Sequence, residues 1–159
     1  MTSSRWDGAA LYRGRITSAA SEASIDECFA DLTGLRRLLR MNYITMAQTI
    51  KAALDKELGF TFSVGLAPTK VVAKLASKWK KPSGLTAIMA RDIHLYLKDL
   101  PVEKVWGIGP QTTALLQKQG IKTALDFARK TRDWIKRRLT KPHYEIWQEL
   151  NGKSVLPLG

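Results

Sequence analysis

Two adjacent carboxylates, Asp26 and Glu27, are the residues in this chain whose types best suit metal-assisted chemistry. Hard oxygen donors suit Mg²⁺ that is shared with substrate phosphates, and a carboxylate pair of this kind points to two-metal phosphoryl transfer. A regular strand sends consecutive side chains to opposite faces, so both acids serve one site only if the chain turns or twists between them. The alternative reading is a pair of exposed acids at a strand end.

A second feature is the turn Gly107-Ile108-Gly109 followed by Pro110. Glycines allow close backbone approach, and the first amides of the following helix lack intrahelical acceptors, so those of Gly109, Gln111 and Thr112 are available to a phosphate. Pro110 suits the first helical position, where its missing donor costs nothing. This is a helix-hairpin-helix pattern, and the alternative is a plain turn between two helices. Arg129, Lys130, Arg132, Lys136, Arg137, Arg138 and Lys141 crowd the stretch downstream. Upstream, Lys70, Lys74, Lys78 and Lys81 follow at i, i+4, i+8 and i+11, a lysine ridge opposite an apolar face of Val71, Val72, Leu75, Ala76 and Trp79. Both basic bands flank the hairpin.

Cys28, His94 and His143 show no ligand or nucleophile spacing, and Cys28 reads as a core residue. Trp79, Trp106, Trp134 and Trp147 fall at apolar helix positions and are expected in cores.

The elements that must position these groups alternate. Residues 1–20 are a loose tail or a strand without an identifiable partner. Ser21 to Thr33 reads as a bent strand or hairpin, and a helix starts near Asn42 and closes at Gly59. Phe60 to Ala67 reads as a strand ending at Pro68, where a helix to Lys80 starts. A short strand over Leu85 to Met89 and a helix from about Arg91 to Leu100 complete a β-α-β-α-β-α order. After Pro101 the chain turns to compact helical pieces, the last from about Pro142 to Leu150.

The 159 residues are 45% hydrophobic, enough for one domain with a core, and 26 Lys and Arg against 14 Asp and Glu leave a charge of +12. That excess points to a polyanionic partner. One cysteine excludes an internal disulfide, and the first twenty residues lack the apolar block of a signal peptide. With no apolar run long enough for a bilayer, the expectation is a cytoplasmic, nucleoid-associated protein without membrane contact.

The runs SIDECFADLTG (24–34), SVGLAPTKVVAKLA (63–76), Lys81-Pro82-Ser83-Gly84-Leu85, Leu100-Pro101-Val102 and Val105-Trp106-Gly107-Ile108-Gly109 together resemble the Y-family translesion DNA polymerases, nearest the UmuC and DinB branch. The resemblance runs from about Glu22 to Leu158. It implies an α+β fold: a partial palm over 21–90, in which a mixed sheet packs with helices, then a small all-helical thumb over 91–151, and 152–159 leading towards a little finger. It also implies that Asp26 and Glu27 are catalytic and bind two Mg²⁺ ions, that Lys81 contacts the triphosphate of the incoming nucleotide, and that Gly107, Ile108, Gly109 and Thr112 grip primer backbone. Lys70 and Lys74 of the ridge join them as expected DNA contacts.

The implied partners are primer-template DNA and deoxynucleoside triphosphates, with a sliding clamp or RecA-like filament recruiting the parent enzyme in an SOS-type DNA repair response. The family's first palm strand, with a further metal-binding aspartate and a steric gate, and its fingers have no counterpart ahead of Ser24. Little or no polymerase activity is therefore expected from this chain alone. The alternatives are a non-catalytic DNA-binding module and a decayed gene fragment.

Overall fold

A computed structural model of the chain describes residues 11–18, 21–31, 42–58, 63–79 and 84–157. Strand β1 (Leu11–Ser18) pairs antiparallel with β2 (Ser21–Asp31), so part of the segment without an identifiable partner finds one in the acid-bearing strand. β1 also lies against the next strand and the helix that follows it.

Helix α1 (Tyr43–Leu58) starts where expected, because the Asn42 side-chain oxygen accepts the Thr45 amide at 2.7 Å and caps the first turn. Its Met46 and Ala47 are buried with Val64 and Leu66 of β3 (Val64–Leu66), a small apolar cluster of its own. β3 runs parallel to β4 (Leu85–Ala87), and parallel neighbours need a crossover. Helix α2 (Lys70–Trp79) is that crossover. It packs directly on the strand because Gly65 has no side chain: a Cβ there would run into the Ala73 carbonyl, the Ser77 amide and the Ala76 side chain.

After β4 a 3₁₀ turn, Ala90–Asp92, leads into α3 (Ile93–Leu97). A second 3₁₀ turn, Val102–Lys104, precedes α4 (Pro110–Lys118), and α5 (Ala124–Ala128), α6 (Arg132–Arg138) and α7 (Lys141–Leu150) follow. The single bridge Pro101↔Thr123 and the bonds Val102 N to Lys122 O (2.9 Å) and Ala124 N to Leu100 O (2.7 Å) close the hairpin region on itself. The main core runs without interruption from Val72 and Ala76 of α2 through Leu97, Leu116, Phe127 and Ile135 to Ile146 and Leu150. The composition change at Pro101 is therefore not a break in packing.

The lysine ridge on α2 needs correcting. Lys74 is 5% exposed and lies among the buried residues of the helix, with its ammonium 4.0 Å from the Trp106 ring centre. Lys70 donates to the Pro157 carbonyl at 3.1 Å. The helix packs against α7 as well as the strands, and Trp106 lies over Lys74, while Lys70 is half-buried and Lys78 is exposed. Trp79 and Trp106 correct the other way, being 46% and 42% exposed rather than in the core. Trp134 and Trp147 do pack against the core.

Candidate functional site

The hairpin is built by local chemistry. Gly107 sits at φ 88°, a left-handed conformation that favours glycine, and a Cβ there would also meet Ile146 Cδ1 of α7. Ile108 is buried and its amide donates to Val105 O at 3.1 Å, which turns the chain back towards α4. Gly109 is the N-cap of α4 in extended backbone, no side chain caps the helix, and Pro110 holds its first position. The first recorded bond into the new helix is Thr113 N to Gly109 O at 2.9 Å. The amides expected to face a phosphate thus belong to one exposed turn, with Gly109 and Gln111 at the surface and Thr112 half-buried. The helix dipole favours an anion there.

A cavity of about 430 Å³ opens at this turn, lined by Glu103, Ile108, Gly109, Pro110, Thr113 and Ala114 among others. The Thr113 hydroxyl is buried without a hydrogen-bond partner. The Thr112 hydroxyl lies 3.4 Å from His143 Nε2, and His143 Nδ1 lies 2.9 Å from the Thr140 hydroxyl at the start of α7. His143 therefore ties α7 to the hairpin helix, a role that its position in the sequence did not suggest.

Downstream, the basic run is organised on aromatic faces. Lys130 and Arg138 lie 5.1 and 5.0 Å from the Trp134 ring centre, and Lys136 lies 5.0 Å from that of Tyr144, which stacks on Trp147. Cations held on rings keep their charge while losing freedom, which suits repeated contacts to a polyanion. At the start of α5, Asp126 accepts from the amides of Thr123 and Lys122 while Thr123 accepts from the Asp126 amide, a reciprocal cap. Those backbone donors, Thr123 first and Lys122 next, hold the Asp126 carboxyl below its ordinary 3.8.

The acid pair stands at an irregularity of the β1–β2 ladder. Gly14 pairs with Cys28 and Ile16 with Ile25, so the single residue Arg15 spans the two residues Asp26 and Glu27. Two residues opposite one is a β-bulge, a backbone irregularity in the ladder at this pair. In donor type, two carboxylates at one bulge fit Mg²⁺. Lys81 and the site expected around it lie outside the described residues. So do the side chain of Cys28 and its expected burial.

Glu149 was not singled out from the sequence. It is fully buried in α7 and accepts from the amides of Val71 (3.0 Å), Val155 (2.8 Å) and Leu156 (2.9 Å), while its backbone carbonyl accepts from the Thr69 hydroxyl at 2.9 Å. One carboxylate thus joins the start of α2, the end of α7 and the segment after it. The available signal was an acid set between Ile146 and Leu150 on the apolar stripe of the helix. The stretch from Val155 is pinned by it.

Residues 10–78 match the impB/mucB/samB family, and residues 90–121 match the IMS family HHH motif. The first match begins earlier than the motifs alone suggested and takes in β1. The chain is 39% identical over 144 residues to DNA polymerase IV of Clostridium kluyveri, covering 91% of this chain and 36% of that protein. It is 40% identical over 114 residues to DNA polymerase IV of Caulobacter vibrioides, covering 72% and 28%. Among solved structures it resembles a post-insertion binary complex of Dbh DNA polymerase, with TM-score 0.67 and 25% identity over 84% of this chain and 40% of that one. DinB from Sulfolobus solfataricus gives TM-score 0.64 and 27% identity, covering 86% and 40%. The chain spans about a third of the length of the curated relatives it matches. With the acid-pair strand, the strand-to-helix turn and the hairpin matched in series, the chain is homologous over these residues to part of a Y-family DNA polymerase of the UmuC and DinB type.

Proposed function

We propose that this chain is the backbone-gripping and acid-bearing portion of a translesion DNA polymerase, with a partial palm over 21–90 and a thumb over 91–151. The observation that carries the reading is the hairpin: an uncapped nine-residue helix entered through a left-handed glycine, with cation-rich helices behind it. Gly107, Ile108, Gly109 and Thr112 present backbone to DNA phosphates. Of the two lysines expected to join them, Lys70 lies nearer the surface, and Lys74 contributes charge from beneath.

Asp26 and Glu27 are the residues that would hold Mg²⁺, and Lys81 is assigned to the nucleotide triphosphate. When bound, the metal supplies charge neutralisation on the phosphates in transfer and activation of the attacking hydroxyl. The chain's own contribution is to fix the acid pair at a strand bulge and to hold duplex backbone with the hairpin, so that the reacting ends are oriented. Misplacement by about an ångström costs about a hundredfold in rate, which makes the strand register a catalytic variable.

Deoxynucleoside triphosphates and primer-template DNA are the proposed substrates. An SOS-type repair role, action at the nucleoid in the cytoplasm, and recruitment by a clamp or RecA-like filament follow from the same reading. The test is a primer-template titration with and without Mg²⁺. Binding should fall steeply with salt as counterions are released, and a flat salt response would overturn the basic interface. Nucleotide incorporation that disappears in Asp26→Ala and Glu27→Ala supports a catalytic role. DNA binding that is equal or tighter in those variants, with no incorporation in the parent, replaces it with the non-catalytic binding module.

A further inference from the structure

Between α2 and the entrance to the hairpin lies a half-open cavity of about 450 Å³. It shares no lining residue with the cavity at the α4 start. Its floor is aliphatic, with Leu75, Val105 and Leu150, while Trp79 and Trp106 stand at its edge, nearly half exposed. Large aromatic surface left in water within one concavity is a mark of an interaction site.

Both indoles are already held. Trp79 meets Tyr96 edge-on with ring centres 5.0 Å apart, and Trp106 carries the Lys74 ammonium 4.0 Å from its ring centre. A fixed aromatic loses little freedom on binding, which makes it a strong anchor. Among the described residues the charged side chains lining it are lysines, Lys74 held beneath Trp106 and Lys78 and Lys104 exposed at the edge.

The lining distinguishes between two polyanionic occupants. The indoles stand over a concave aliphatic lining rather than forming a flat platform, so a side chain that enters the cavity buries more apolar surface than a base stacked across its mouth. An aliphatic floor between two indoles suits a leucine or aromatic side chain, and a lysine edge suits carboxylates beside it. We propose that this cavity docks an acidic peptide segment of a protein partner, with one aliphatic or aromatic side chain entering between Trp79 and Trp106 and flanking Asp or Glu residues meeting the lysines.

The experiment is selection of a random dodecapeptide phage library on the full chain, followed by anisotropy titration of the enriched sequence as a labelled peptide. The expected consensus is a leucine or aromatic residue among Asp and Glu. Its Kd should weaken about tenfold or more in Trp79→Ala and in Lys104→Glu, the scale of a lost anchor. Lys104 is exposed, so its variant keeps the fold, and thermal melting by circular dichroism checks both. No enriched consensus, or enriched peptides whose binding ignores both substitutions, overturns the proposal. Oligothymidylate that displaces the peptide and itself loses affinity in Trp79→Ala overturns it in favour of a single-strand site.

Discussion

The hairpin and the acid pair are both turns of a few residues, yet they are made in opposite ways. The hairpin is closed by neighbours: Ile108 bonds to Val105, Thr113 to Gly109, and Val102 to Lys122, all within about two helices of chain. The acid pair has its geometry from a partner strand, since Asp26 and Glu27 share a register position only because β1 pairs with β2 out of step around Arg15. A site made of local turns survives changes elsewhere, whereas a site made of register is moved as a whole by a slip of one residue. On the proposed function this separates holding DNA from acting on it.

The largest test of that separation is Phe127→Ala. Phe127 is fully buried in the core that runs from α2 to α7, so truncation should cost about 3–5 kcal/mol, read by chemical denaturation. Loss of duplex binding together with β1–β2 pairing, followed by amide exchange, would show one cooperative unit. Loss of binding alone would sharpen the distinction.

Glu149→Gln comes next. The amide nitrogen it introduces faces backbone donors at Val71, Val155 or Leu156, and a buried unpaired donor costs about 1–3 kcal/mol. Amide exchange should accelerate at those three residues, with the hairpin amides unchanged. Gly107→Ala is somewhat smaller in stability, about 1–2 kcal/mol for the left-handed backbone, but it carries a contact with Ile146 as well. Duplex affinity should fall more than the melting temperature suggests, because the turn itself is displaced.

The smallest effect is at the α5 cap. Thr123→Ala should cost about 1 kcal/mol. Because the Asp126 carboxyl is held below its ordinary 3.8 in the folded protein, its contribution is fully present above that value and is lost as pH falls through the lower folded value. The gap in stability between parent and Asp126→Ala should therefore narrow on acidification, measured by denaturation at neutral and at acid pH, whereas the gap to Thr123→Ala, which keeps both amide donors to Asp126, should stay nearly level.

Much of the fold was legible because its signals are local. The helix near Asn42, the strand before Pro68 and the glycine turn of the hairpin all announce themselves within a few residues. The lysines of α2 were misread because i, i+4 spacing says that side chains share a face but not what lies opposite that face; here the hairpin brought Trp106 over Lys74. Glu149 was missed for the matching reason. An acid on an apolar stripe looks like an irregular helix until its three backbone donors, from segments up to 78 residues away, are known.

Propensity, glycine-bearing turns and charge act over short stretches, and they already mark the elements from β2 onward, the hairpin turn, the acid pair and the cationic excess. It took long-range packing to pair β1 with the acid-bearing strand, to bury Lys74 beneath Trp106, and to leave Trp79 and Trp106 at the edge of a cavity rather than in a core. Those outcomes depend on which distant surfaces meet, and a periodic pattern fixes a face without naming its neighbour.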